Sequence, residues 1–247
     1  MHATEVADRV HRLAHAHVNC YLIDDDEGVT LVDAGLPSMW GLMLETLGRL
    51  NRRPHDIRAL VLTHGHFDHV GFARRARTEL DVPVLVHPYD VRLAAHPYSY
   101  TPQSNRFLYP LAHSRSLPVL GRMAAAGALT VKGIEDAGEL SVDADLGLPG
   151  DPIAMHAPGH TGGHCIVALP ARDAVISGDA LVTLDPYTGA TGPQIVASAA
   201  TADTALAIDS LTSVAATGAR SVLPGHGEPW DDGVDTAVRQ ALAVGEH

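Results

Sequence analysis

The sequence predicts a mixed α/β fold in one domain, and two features of the chain support that prediction. Short apolar runs typical of buried strands alternate with segments whose apolar residues recur at helical spacing. A chain of 247 residues is also long enough to bury a full core as a single unit. We therefore expect one domain over residues 1–247, built from alternating strands and helices.

The first half of the chain contains five predicted elements. An acidic turn at residues 24–28 joins two apolar runs into a hairpin, and Met43 and Leu47 share one face of the helix that follows. In chain order the elements are strands at 18–23 and 28–33, a helix at about 37–50, a strand at 57–62, a helix at about 70–80 and a short buried strand at 82–87.

The second half repeats the alternation. Its apolar runs are short and bounded by turn residues, and its helical segments are longer. We predict strands near 152–156, 165–169, 174–177 and 221–223, with helices near 202–216 and 232–243.

Four possible metal ligands lie within six positions directly after the strand at 57–62: His64, His66, Asp68 and His69. Neutral imidazole suits zinc, iron and manganese, and a carboxylate adds a harder oxygen ligand. His64 and His66, two apart in an extended loop, can point the same way and hold one ion. Asp68 and His69 would then face a second ion.

A chance cluster is the alternative, because the chain contains 16 histidines. Four ligand types in so short a stretch after a buried strand favour a metal site over chance. We expect Gly65 to keep the turn uncrowded, and Gly71 to let the chain leave it and start a helix.

This motif resembles the signature of the metallo-β-lactamase-fold hydrolases, and the rest of that family's pattern has counterparts in the same order. Four further segments resemble its motifs: 32–35 with Asp33, 157–164 with His160, 176–180 with Asp179 and 223–229 with His226. Asp33 matches the aspartate that supports the site, and Asp179 matches the one that bridges two metals. The resemblance spans residues 19 to 229, which is most of the chain.

The resemblance implies a four-layer αββα sandwich, with two sheets face to face, helices outside and metals at one edge. It also implies a ligand set like those of glyoxalase II and the lactonases. His64, His66 and His160 would hold one ion, Asp68, His69 and His226 the other, and Asp179 and a water would bridge them. The implied cofactors are two divalent ions, zinc first, with iron or manganese as alternatives.

The implied reaction is hydrolysis by a metal-bridging hydroxide, because two divalent ions about 3.5–4 Å apart lower the pKa of water to about 7. Asp68 is the implied catalytic residue, which orients the nucleophile and passes a proton to the leaving group. The expected substrate is a small carboxyl ester, thioester or lactone. His164, four residues after His160, is a candidate to hydrogen-bond a ligand or line the pocket.

Two alternatives stay open at this stage. One is a mononuclear iron enzyme similar to persulfide dioxygenases, using His64, His160 and Asp179. The other is phosphodiester or β-lactam hydrolysis as a main or side activity. The chain differs from two relatives: the commonest zinc β-lactamases carry cysteine where Asp179 stands, and acyl-homoserine-lactone hydrolases carry tyrosine where Val182 stands.

The segment at about 87–136 differs in composition from the rest of the chain and is a predicted insertion. It contains five aromatic residues and carries five basic residues (Arg92, Arg106, Arg115, Arg122 and Lys132) against three acidic ones. It either packs on the core as ordinary structure or forms a lid that attracts an anionic small-molecule substrate.

Composition limits the partners. The formal net charge of −12 argues against nucleic acid, which requires clustered Lys and Arg. The first residues lack the apolar core of a signal peptide, and no apolar run is long enough to span a membrane, so we expect a cytoplasmic protein. Cys20 and Cys165 lie in strand-like runs and are expected to be buried and reduced, although a bridge between them stays open.

Overall fold

The computed structural model describes residues 1–105 and 109–247 as two large sheets flanked by helices. The first sheet has seven strands in sequence order: β1 (His2–Ala7), β2 (Val10–His15), β3 (Val18–Asp25), β4 (Gly28–Val32), β5 (Ile57–Val61), β6 (Val84–Val86) and β7 (Gly138–Glu139). β1 to β4 pair antiparallel, and β4 to β7 pair parallel.

The second sheet is formed by the later part of the chain. Its strands are β8 (Ala144–Asp145), β9 (Ile153–His156), β10 (Cys165–Leu169), β11 (Ala174–Gly178) and β14 (Ser221–Pro224), in the order β14-β11-β10-β9-β8. Between β11 and β14 the chain forms a separate hairpin of β12 (Val182–Leu184) and β13 (Thr191–Gln194).

Eight α-helices lie within the described residues, and most flank the sheets. They are α1 (Trp40–Arg49), α2 (Phe67–Val70), α3 (Ala73–Leu80), α4 (Val91–Ala95), α5 (Tyr109–Ala112), α6 (Ser116–Met123), α7 (Thr204–Ala215) and α8 (Val234–Val244). None of the helices in the described part of the chain has the length and apolarity that crossing a membrane requires.

Three apolar clusters define four layers. One lies between the first sheet and α1, α3 and α6, a second lies between the two sheets, and a third lies between the second sheet and α7 and α8. β3 shows how the sequence achieves this, because its side chains alternate between the two faces of the sheet. Cys20 and Leu22 pack on the helix side, whereas Tyr21 and Ile23 pack against the second sheet. The predicted αββα sandwich is confirmed.

Two strands at the start of the chain were not predicted. β1 is mostly exposed and β2 is buried between β1 and β3, yet neither reads as an apolar alternation. β2 contains Arg12, which is 4 % exposed and reaches Glu228 and the carbonyl of Gly227. A strand is predicted from its apolar pattern, and a charged residue such as Arg12 interrupts that pattern. Its burial by a distant loop cannot be seen in the sequence, so β2 was not predicted.

The predicted helix at 70–80 corresponds mainly to α3, and a short helix that was not predicted precedes it. Helical structure starts at Phe67, so Asp68 and His69 lie in α2, and the chain breaks at Gly71 and Phe72 before α3. Gly71 ends α2, and α3 begins two residues after it, which agrees with its expected place before a helix. A Cβ there would lie 2.0 Å from the carbonyl oxygen of Gly35. Gly71 is needed because two turns touch: Ala34 N donates to His69 O, at 2.7 Å.

The insertion lies between β6 and β7 and contains α4, α5 and α6. Val119 and Met123 of α6 are buried in the cluster under the first sheet, so part of the segment packs as ordinary structure. Arg106 lies outside the described residues, as does the aromatic Phe107. Two statements stay predictions: that residues 1–247 form a single domain, and that this segment acts as a lid.

Gly71→Ala should destabilise the protein, because the added methyl group would collide with the turn that carries Asp33. Overpacking of this kind costs about 1–3 kcal/mol, measured as a loss in the free energy of unfolding in urea. Gly41→Ala is the matched control, because a Cβ on this exposed position of α1 has no neighbour within 4 Å. That helical substitution should be neutral or stabilise by up to about 1 kcal/mol. Equal effects of the two substitutions would contradict the contact.

Candidate metal centre

The predicted ligands follow strand ends that meet at one edge of the two sheets. His64 follows β5, Asp179 directly follows β11, and His226 lies two residues after β14. His160 lies in the loop between β9 and β10. Strand ends are where α/β folds commonly place their sites, because side chains from separate strands converge there.

The structure brings all seven predicted ligands together, each at most 6 % exposed. Three groups have ligand atoms within 4.8 Å of one another: His64, His66 and His160; His64, His69 and Asp179; Asp68, His69 and His226. Asp179 lies between the two predicted halves. Its carboxylate oxygens are 3.4 Å from Nε2 of His69, of His160 and of His226.

Hydrogen bonds fix which ring nitrogen of two histidines faces the cluster. The hydroxyl of Thr201 donates its only proton to Val196 O, at 2.7 Å, so it must accept from Nδ1–H of His160, at 3.1 Å. Nδ1–H of His226 donates to the carbonyl of His17, at 2.7 Å. In both rings Nε2 is therefore the nitrogen that faces the cluster.

Asp33 orients two more of the histidines. Its carboxylate accepts from His69 Nδ1–H at 2.8 Å and from Thr63 Oγ1 at 2.9 Å. Because Thr63 Oγ1 donates to Asp33, it accepts from Nδ1–H of His64, at 3.1 Å. Asp33 is 1 % exposed with φ 62°, and its backbone N–H donates to Val61 O of β5, at 2.8 Å. Its predicted place beside the ligands matches this geometry.

The donor set fits divalent metal ions. Nε2 of His64, Nε2 of His69 and Oδ1 of Asp179 are buried and make no hydrogen bond to any described residue. A buried polar atom without a partner costs free energy. Several such buried imidazole nitrogens and carboxylate oxygens, converging on one space, are what a metal site requires.

The charges within the cluster are strongly coupled. Burial lowers the pKa of His160 to about 3. Burial also opposes protonation of His226, but the carboxylates of Asp179 and Asp68 outweigh it and raise its pKa to about 10. Burial opposes ionisation of Asp179, yet His226 and His69 hold its pKa well below the usual range. Buried carboxylates here are stabilised by positive charge, which metal ions would supply.

Asp90 was not predicted, yet it ties two ligand loops together. Its carboxylate, 1 % exposed, accepts from Gly65 N at 2.9 Å, from Thr161 Oγ1 at 2.7 Å and from Gly163 N at 2.8 Å. One buried side chain therefore fixes the spacing between the His64–His66 loop and the His160 loop. The sequence gives no local signal for it, because Asp90 follows a different strand.

The His226 loop is held from the opposite sheet. Asn19 Nδ2 donates to the carbonyls of Pro224 and Gly227, and Tyr21 OH donates to Pro224 O at 2.7 Å. Asn19 and Tyr21 lie on one face of β3 within its apolar first part, and they were a signal that sequence reasoning missed. Gly225 is also required, because a Cβ there would lie 2.3 Å from Asp179 Oδ1.

His164 was predicted either to hydrogen-bond a ligand or to line the pocket, and it hydrogen-bonds a ligand residue. Its Nε2 accepts from the backbone N–H of Asp179, at 3.0 Å, and its ring lies 5.0 Å from that of His64. His164 therefore anchors the backbone that carries Asp179. Cys20 and Cys165 are both buried and unbridged.

A small chamber of about 20 Å³ lies over the cluster and is partly walled by the insertion. Tyr100 from the insertion and Tyr187 from the β12–β13 hairpin both line it, with their hydroxyls 3.3 Å apart. The ring of Tyr100 lies 4.2 Å from that of His66. The chamber therefore combines metal-ligand types with two phenol hydroxyls.

Comparison with known proteins identifies the class. The family model of the Metallo-beta-lactamase superfamily matches residues 15–226. The chain therefore belongs to the metallo-β-lactamase superfamily, and it is a metal-dependent hydrolase.

Three relatives illustrate its place in that family. A probable metallo-hydrolase, YflN, from Bacillus subtilis (strain 168) is 26 % identical over 237 residues, which cover 91 % of this chain and 86 % of the relative. An N-acyl homoserine lactonase from a Bacillus species is 24 % identical over 67 % of this chain and 62 % of its own length. The crystal structure of TTHA1623 in a di-iron-bound form is similar with a TM-score of 0.62 and 25 % identity, covering 93 % of this chain and 96 % of that one.

Asp33→Asn should weaken metal binding about 10- to 100-fold, because the substitution removes the charge that orients His69. Asparagine tolerates a left-handed backbone, so the turn should survive. Asp173→Asn is the matched control, since Asp173 is an exposed aspartate with φ 50° that bonds only to Arg220 N through its side chain among the described residues. Metal affinity measured by competition with a chromogenic chelator should separate the two. Equal affinities would show that Asp33 does not support the site.

Proposed function

We propose that the protein binds two divalent ions, most favourably zinc, and hydrolyses a small carboxyl ester, thioester or lactone. The observation that carries this proposal is the convergence of seven buried ligand-type side chains, with ring nitrogens already oriented toward a common space. Imidazole and carboxylate donors suit zinc, and they also accept iron or manganese.

Two groups of residues would hold the ions. One group is His64, His66 and His160, the other is Asp68, His69 and His226, and Asp179 would contribute its carboxylate to both ions. Bound divalent ions would supply Lewis-acid polarisation of the substrate and a hydroxide nucleophile near neutral pH. The 3.4 Å approach of Asp179 to histidines of both groups supports its assignment as the bridge.

Asp68 is the proposed catalytic residue. It lines the chamber, and its Oδ2 lies 3.3 Å from Nε2 of His226. From this place its carboxylate orients the attacking oxygen and takes its proton. The new C–O bond forms, the C–O or C–S bond to the leaving group breaks, and Asp68 returns the proton to the departing oxygen or sulfur.

Tyr100 and Tyr187 are the proposed donors to the substrate oxygen. The position of the lactonase tyrosine is Val182 here, which is buried against Val196 and Ala200 and offers no hydroxyl. The two phenols that line the chamber come from elsewhere in the chain. An O–H donor aimed at the carbonyl oxygen stabilises the negative charge that develops during attack.

The relatives support hydrolysis of a carboxyl compound. One is an N-acyl homoserine lactonase, which acts on a lactone, and another is a probable metallo-hydrolase. The di-iron form of TTHA1623 supports iron as the alternative ion. A mononuclear iron dioxygenase is less favoured, because it would leave the buried group of Asp68, His69 and His226 without a role.

An activity panel tests this proposal. Protein stripped with a chelator and reloaded with zinc, iron or manganese would be assayed on chromogenic carboxyl ester, thioester, lactone, β-lactam and bis-p-nitrophenyl phosphate substrates. Metal-dependent turnover of a carboxyl compound above the last two substrates is expected. Turnover of the phosphodiester or β-lactam alone would overturn the substrate class, and iron-dependent oxygen uptake would support the dioxygenase. The cytoplasmic location and the lack of a nucleic-acid partner stay predictions.

Asp68→Asn should fold and retain the ion held by three histidines, but lose at least about 100-fold in kcat. The reason is that an amide neither takes a proton nor orients the attacking oxygen as a carboxylate does. Single-turnover rates and metal content would be measured on the same preparation. A variant with two bound metals and an unchanged kcat would contradict the assignment of Asp68 as the catalytic residue.

A further inference from the structure

A second, larger cavity opens beside the chamber. Its volume is about 220 Å³, and it shares His66, Tyr100 and His160 with the chamber walls. A cavity of roughly 150 Å³ holds benzene, so this outer cavity admits a small acyl group. A substrate that fills it would reach the metal ligands past Tyr100.

Arg92 is the cation that lines this outer cavity. It projects from α4, the first α-helix of the insertion, and is exposed. None of the ion pairs among residues 1–105 and 109–247 involves Arg92. A guanidinium that forms no ion pair within the described residues, on the wall of a cavity, is suited to a carboxylate because it can donate two parallel N–H bonds.

The other basic residues of the insertion lie elsewhere, as far as the described residues extend. Arg122 donates to Nε2 of His17, at 2.9 Å, and lines a separate cavity at the start of the chain. Lys132 lines a surface groove beside α3. Arg115 packs against Gly189, where an added Cβ would lie 2.8 Å from its own Cβ. The predicted attraction of the insertion for anions is therefore best assigned to Arg92.

Asp90 is the one acidic residue on the same cavity wall, and it does not cancel this cation. Its carboxylate is directed into the structure, where it accepts hydrogen bonds from Gly65, Thr161 and Gly163. Leu93, Ala200 and Ala202 give the cavity an apolar surface as well. The lining is thus apolar over part of its area, with one positive group among the described residues.

We infer that the outer cavity binds the acyl part of a substrate that carries a free carboxylate, with Arg92 as the residue that pairs with it. The apolar surface holds a short carbon chain, and the scissile carbonyl at its other end extends past Tyr100 to the chamber. The substrate class is then the monoester or monothioester of a small dicarboxylic acid, or the lactone of a small hydroxy-dicarboxylic acid. This inference rests on the proposed function for the reaction, but the carboxylate site itself does not.

The test compares two substrates in metal-loaded protein: 4-nitrophenyl hydrogen glutarate, which has one free carboxylate, and its neutral carboxamide counterpart. Arg92→Glu should raise KM for the anionic ester about tenfold and leave KM for the neutral one within about twofold, since an exposed charge pair is partly screened. Raising the salt from 0.1 M to 1 M should shrink the wild-type preference, as the Debye length falls from about 10 Å to about 3 Å.

Arg115→Glu is the matched control, because it makes the same charge change in the same insertion but away from the cavity. It should leave both KM values unchanged. Arg92→Gln removes the charge without reversing it and should give a smaller rise for the anionic ester alone. Equal effects of Arg92→Glu on both esters, or no effect on either, would overturn the inference, as would an equal effect of Arg115→Glu.

A binding measurement separates this inference from the reaction. Saturation-transfer NMR on chelator-treated protein would compare glutarate with glutaramide, neither of which is hydrolysed. Glutarate binding that is lost in Arg92→Glu supports the carboxylate site even if neither ester is turned over, in which case only the proposed function fails. No glutarate binding, or binding that is unchanged in Arg92→Glu, overturns the site even if the neutral ester is hydrolysed.

Discussion

The convergence of buried imidazoles and carboxylates at one edge of the sandwich is the constraint on which the rest of the structure depends. Five histidines and two aspartates of the ligand set are at most 6 % exposed, and their charges are strongly coupled. Burying ionised groups is costly unless opposite charge accompanies them. Divalent cations would supply that charge, and cations that bind only the folded chain also stabilise that fold.

The surrounding fold supplies rigidity at each ligand. Thr63, Thr201 and the carbonyl of His17 each hold one imidazole in the orientation that turns Nε2 inward. Hydrogen bonds between residues distant in sequence then join the elements. Asp90 links two ligand loops, and Asn19 of the first sheet bonds to the His226 loop of the second. Because these bonds cross between sheets, the sandwich and the centre are parts of one hydrogen-bonded unit.

The local parts of this arrangement could be predicted from the sequence, and the long-range parts could not. The ligands from His64 to His69 lie in one short stretch of the chain. Each of the others lies in a short segment that resembles a family motif: Asp33, His160, Asp179 and His226. Asp90, Thr201 and Tyr100 act across long sequence separations, so no local pattern marks them. β2 was missed because Arg12 is buried by a distant loop, and the break between α2 and α3 was missed because Gly71 there closely approaches Gly35, which is distant in sequence.

The central claim is that the seven side chains form one two-metal centre, and anomalous X-ray diffraction from crystals of the metal-loaded protein tests it most directly. Data collected on either side of the absorption edge of the loaded metal would locate each ion. The account predicts two peaks about 3.5–4 Å apart, one beside His64, His66 and His160 and the other beside Asp68, His69 and His226, with Asp179 between them. A single peak after loading with excess metal, with the second group of side chains left unbound, would contradict it.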